Sequence, residues 1–143
     1  MTDTERAIRE IADDVYTTLG SGHNEVVYHR AMEVGLRIQK FKIQYESERV
    51  VELRYKGHYV GRGSADLIVG TGDDSTVVEL KAVAESVGRP EEHQLRNYMK
   101  VLGIKAGLLI DFQQLGKSRK NAKGSRLEIV EVHLTEVPAS PQT

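Results

Sequence analysis

Cysteine and tryptophan are absent from these 143 residues, and there are only three prolines and two phenylalanines. Without cysteine there is no disulfide, thiolate metal site, iron–sulfur cluster or thiol nucleophile. A strong charge of one sign is also lacking: the net charge of −1 does not announce a nucleic-acid binder. No long apolar run interrupts a chain that is 29% charged and 39% hydrophobic, so no membrane span is expected. The opening MTDTERAIREIADD is acidic and amphipathic rather than basic and then apolar, so it does not read as a signal peptide. The expected setting is cytoplasmic. The length suits one domain with a sizeable core, over residues 1–136, followed by a disordered tail at 137–143.

The chain alternates between two periodicities. Ile8, Ile11, Val15 and Leu19 recur at helical spacing, Thr2 and Glu5 fit a capping box, and Gly20 ends the predicted helix. A second helix is expected over Asn24–Gln39, with Val27, Ala31, Val34 and Ile38 as its apolar stripe. Strands follow over Lys42–Tyr55 and His58–Val69, with Lys56-Gly57 as a hairpin turn, and then over Thr76–Val83 after the turn Gly70–Ser75. Pro90 opens a third helix that Gly103 closes, and strands are predicted over Ile104–Phe112 and Arg126–Leu134. The order α-α-β-β-β-α-β-β implies an α/β fold, a mixed sheet flanked by helices.

Two charges interrupt a core strand. In Val77-Val-Glu-Leu-Lys-Ala-Val83, Glu79 and Lys81 lie two apart and so share a face. Asp66 lies at the start of the preceding apolar segment Leu67–Val69, and antiparallel pairing would bring it close to Glu79. Two crowded carboxylates repel unless a cation lies between them, and hard divalent ions take oxygen ligands. A Glu–Lys pair is equally an ordinary strand-face salt bridge. With Asp66 included, the metal site and the salt bridge stand level.

Asp66 followed by Glu79-Leu80-Lys81 resembles the D…(D/E)-x-K signature of the PD-(D/E)XK nuclease superfamily, with Ala65 where a proline is often seen. Gly22-His-Asn-Glu25-Val-Val-Tyr28 is similar to the motif of that superfamily's GxxExxY family, although His23-Asn24 stands where apolar residues are common. Gln94 and Tyr98, an i,i+4 pair, resemble the Q-x-x-x-Y helix of RecB-like members. The segment Val101–Phe112 resembles the family's glycine-rich turn into its next strand, so the likeness runs from about Ile8 to Phe112.

This resemblance implies a restriction-endonuclease-like fold and a nuclease that hydrolyses phosphodiesters with a metal-activated water. The cofactor would be Mg²⁺ or Mn²⁺, held by Asp66, Glu79 and the Leu80 carbonyl, with Glu25 binding directly or through water. Lys81 would position the attacking water and offset phosphate charge, while Tyr28, Gln94 and Tyr98 would contact nucleic acid or orient the site. DNA is the expected substrate. The alternatives are a dimeric Holliday-junction-resolvase-like endonuclease and a non-catalytic relic that binds nucleic acid or protein. No acid separates Asp111 from Glu128, whereas Lys117, Arg119, Lys120, Lys123 and Arg126 fall between them. That cluster reads as a phosphate-binding loop or, more simply, as solvated surface. His23, His29, His58, His93 and His133 show no metal-ligand spacing and read as surface or packing residues.

Overall fold

The computed structural model describes residues 1–83, 89–114 and 127–136. The basic segment containing Lys117, Arg119, Lys120 and Lys123 lies outside the described residues, as does the 137–143 tail. The elements are α1 Asp3–Leu19, α2 Glu25–Arg37, β1 Tyr45–Tyr55, β2 His58–Val69, β3 Thr76–Lys81, α3 Arg89–Leu102, β4 Ala106–Phe112 and β5 Leu127–His133. Their order is the expected one, with ends trimmed by a few residues. Thr2 caps α1 by accepting the Glu5 N–H through its hydroxyl at 3.0 Å.

The strands form one five-stranded sheet in the order β1-β2-β3-β4-β5. Lys56 and Gly57 both have positive φ (48° and 80°), the pattern of a tight two-residue hairpin turn, and this sets β1 antiparallel to β2. A short 3-10 turn at Gly72–Asp74 returns the chain as β3, antiparallel to β2. The crossover through α3 makes β4 parallel to β3, and β5 closes the described sheet antiparallel to β4.

Both sheet faces are covered. On one, Ile8, Ile11 and Val15 of α1 and Tyr28, Met32 and Leu36 of α2 pack on Leu67, Val78, Leu80, Leu108 and Ile110. On the other, Leu95, Tyr98 and Met99 of α3 pack on Ile68, Val77 and Leu109. The buried stripe of α2 differs from the expected one: Val34 and Ile38 are exposed, and the core takes Tyr28, Met32 and Leu36. Both sets recur at helical spacing of three or four residues, so periodicity does not separate them. The buried set carries the bulkier side chains and gains more from leaving water. Gly35 allows α2 to approach α1 closely, since a Cβ there would stand 2.4 Å from Ile11 Cγ2.

Candidate active site

The β2–β3 ladder is short. Pairing runs from Val69↔Thr76 to Leu67↔Val78, and the next facing positions are Asp66 and Glu79. There the carboxylates take over the work of the ladder. Glu79 Oε1 accepts the Asp66 N–H at 3.0 Å, and Asp66 Oδ2 accepts the Leu80 N–H at 2.7 Å. Facing residues of an antiparallel pair share a sheet face, so the two acids lie together, as the sequence implies. Asp66 Oδ1 and Glu79 Oε2 have no hydrogen-bond partner among the described residues.

Electrostatics records the convergence. Burial, reinforced by the Asp66 charge, pushes the Glu79 carboxyl up to about 8, against the pull of the Asp66 N–H and Lys81. Asp66 is also raised, chiefly by burial, while the Leu80 N–H, His29 and Lys81 draw it down and Glu48 adds to the rise. Glu25, in the first turn of α2, is raised by burial and by Asp66, and Lys81 and His29 oppose this. Glu25, Asp66, Glu79 and Lys81 therefore share one electrostatic environment.

His29 and Glu48 belong to this environment, and neither stands out in the sequence. His29 follows Glu25 by one helical turn, a spacing that puts both on one face and could have drawn attention to it. Its Nε2 lies 2.9 Å from Ser47 Oγ and 3.7 Å from Glu33. Glu48 falls between the pairs Ser47↔Leu67 and Arg49↔Ala65, and so opposite Asp66. Its φ of 55° is unusual for a residue with a Cβ, and no sequence signal foretells it.

Two expected nucleic-acid contacts prove to be interior residues. Tyr28 is fully buried, stacked on Phe112 with ring centroids 4.5 Å apart, and its hydroxyl donates to the Gly20 carbonyl at 2.6 Å. Gln114 Nε2 donates to the same phenol oxygen at 3.1 Å, while Gln114 Oε1 accepts the Gly22 N–H at 2.6 Å. Gly22 and Tyr28 thus pin the loop that leads into α2 at Glu25, and a stacked, hydrogen-bonded ring is not free to meet a nucleic acid. Tyr98 is 8% exposed. Its hydroxyl sits so close to β2 that a Cβ at Gly63 would lie 2.1 Å away. Burial and then Glu79 hold the Tyr98 phenol above its ordinary range, which places this ring beside the acids, in the wall of the site. Gln94, one turn earlier, is exposed.

The residues fit a hard divalent cation. Glu79 is nearly buried and crowded by Asp66, the free oxygens are carboxylate oxygens, and a cation would relieve both burial and repulsion.

The model of the PD-(D/E)XK nuclease superfamily matches residues 2–123. The chain belongs to that superfamily. No curated protein matches it. Among solved structures, the crystal structure of SSO0001 aligns over 98% of this chain with a TM-score of 0.52 and 19% identity. The chain spans 65% of that structure's length, and at this identity the likeness concerns the fold. Among the described residues no helix is long and apolar enough to cross a membrane.

Proposed function

We propose that the chain is a metal-dependent nuclease of the GxxExxY type that hydrolyses phosphodiester bonds, with DNA as substrate and a cytoplasmic setting. The observation that carries this is the exchange of hydrogen bonds that holds Asp66 and Glu79 side by side with one oxygen of each left over. Asp66, Glu79 and the Leu80 carbonyl would hold Mg²⁺ or Mn²⁺, and Glu25 would complete the set directly or through water. Such an ion supplies Lewis-acid stabilisation of phosphate charge and makes water acidic enough to attack.

The chain's own residues do the rest. Lys81, on the Glu79 face of β3, orients the water and offsets negative charge on the scissile phosphate. The wall of Tyr98 and the buried strand beneath fix the carboxylates before substrate arrives. Gln94 presents an amide at the rim to the nucleic-acid backbone. A domain that only bound nucleic acid would gain nothing from acids that repel phosphate, so the converging carboxylates favour catalysis over a binding relic. A homodimer acting on branched DNA is the variant in which two such sites work together.

The test is incubation of the purified protein with single-stranded, duplex and branched DNA and RNA, in Mg²⁺, Mn²⁺ or EDTA. Cleavage that needs the ion and is lost in Asp66→Asn supports the reading. Cleavage that survives Asp66→Asn contradicts it, as does inactivity on every substrate by protein shown to bind Mg²⁺. Cleavage of branched DNA alone, by a dimer, would select the resolvase-like form.

A further inference from the structure

The first turn of α1 directs a carboxylate inward where packing favours an apolar side chain. Glu5 is 1% exposed, and its Oε2 has no hydrogen-bond partner among the described residues. Opposite it, β5 changes character. Leu127 and Ile129 point into the core beneath α1, and the next two positions on the same strand face are Glu131 and His133. That strand face thus runs apolar, apolar, acid, imidazole, and the last two, themselves exposed at the edge of the core, meet the buried Glu5.

We propose that Glu5, Glu131 and His133 form a Zn²⁺ site, separate from the Asp66–Glu79 centre, that ties α1 to strand β5. Each residue offers a ligand atom, and the three atoms lie within 4.8 Å of one another. His133 Nε2 is 2.8 Å from Glu131 Oε1 and 3.9 Å from Glu5 Oε2. Zinc bonds of about 2.0–2.2 Å set tetrahedral ligand atoms a little over 3 Å apart, so small side-chain shifts close the site.

The closest contacts of the local cations go to Glu131 rather than to Glu5. Arg9 Nη2 donates to Glu131 Oε2 at 3.0 Å, and the short His133 contact also goes to Glu131. Glu5 is left as a buried acid beside a second acid, an arrangement that favours either a shared proton or a cation. Burial and then the hydrogen bond with Glu131 hold the Glu5 carboxyl above its ordinary value, in keeping with that competition. An imidazole among two carboxylates selects Zn²⁺ over Mg²⁺ and Ca²⁺, which prefer oxygen alone. Water would fill the fourth position. The charges that act on this cluster are Arg9, His133 and the amino terminus, none of which acts on Asp66 or Glu79.

The experiment uses the full chain carrying Glu79→Gln, stripped with EDTA and titrated with Zn²⁺ by calorimetry and thermal melting. One Zn²⁺ per chain and a raised melting temperature are expected, with no shift from the same concentration of Mg²⁺. His133→Ala and Glu131→Gln should each weaken zinc binding by at least about tenfold, since removing even an indirect support of a metal site costs about 10–100-fold. Glu5→Gln should remove it too, and if that buried substitution does not fold, the two β5 variants decide. Absence of saturable Zn²⁺ binding overturns the proposal, and so does an affinity unchanged in His133→Ala and Glu131→Gln.

Discussion

Glu79 and Glu5 are both buried carboxylates set beside a second acid, yet their surroundings differ in kind. Around Glu79, backbone N–H groups satisfy one oxygen of each acid, a lysine stands one strand step away, and the donors left over are all oxygen. Around Glu5, an imidazole joins the acids and an arginine is taken up by the neighbour, which leaves the buried oxygen without a donor. Burial alone therefore does not define a site's chemistry. The identity of the remaining donors does: an oxygen set beside a lysine suits Mg²⁺ and phosphate, whereas a mixed set suits a structural zinc.

The sharpest break in this comparison comes from Asp66→Asn or Glu79→Gln. Either should abolish Mg²⁺ binding and hydrolysis while the fold stays intact. Because burial raises both carboxyls in the folded protein, making either one an amide removes that cost, and the melting temperature of the metal-free protein should hold or rise. Glu25→Gln should be milder, with Mg²⁺ affinity or activity reduced about 10–100-fold if Glu25 reaches the ion through water. A loss as complete as that of Glu79→Gln would make Glu25 a direct ligand.

The raised pKa of Glu79 gives a pH signature. The folded protein keeps this proton up to about 8, whereas the unfolded chain releases it near the ordinary value of 4.5. Between those values the native state binds more protons, so metal-free stability should fall as pH rises across the window. Denaturant melts at several pH values should show this fall, and Glu79→Gln should flatten it. Mg²⁺ competes with the same proton, so its affinity should climb as pH rises toward about 8.

Smaller effects probe the wall and the basic segment. Gly63→Ala would force a Cβ into the Tyr98 hydroxyl and should cost about 1–3 kcal/mol, the usual range for overpacking, measured by urea unfolding. Neutralising Lys117, Arg119, Lys120 and Lys123 together should weaken nucleic-acid binding and flatten its salt dependence, by about one unit of slope for each phosphate that is no longer neutralised. An unchanged slope would leave that segment as ordinary surface.

Much of the Asp66–Glu79 site was legible because it lies within one hairpin. A short turn and alternating side chains fix which residues can face each other, so Asp66, Glu79 and Lys81 could be grouped from spacing alone. The α2 stripe was misjudged because two sets of positions, each at helical spacing of three or four residues, fit the same helix. Tyr28 drew attention through its motif, and a motif does not show that its ring stacks on Phe112. Glu48 and the Glu5–Glu131–His133 cluster were not legible at all. Their meeting depends on how β1 kinks and on how α1 crosses β5, contacts far apart in sequence that no local pattern encodes.

The most direct test of the central claim sets Glu79→Gln beside Lys81→Ala and measures Mg²⁺ binding by calorimetry and phosphodiester cleavage on the same preparations. If β3 lends its face to a metal site, Glu79→Gln loses both properties, while Lys81→Ala keeps the ion and loses turnover. If Glu79 and Lys81 instead form a structural ion pair, both variants melt earlier than the parent and neither the parent nor the variants respond to Mg²⁺, a result that would contradict the account.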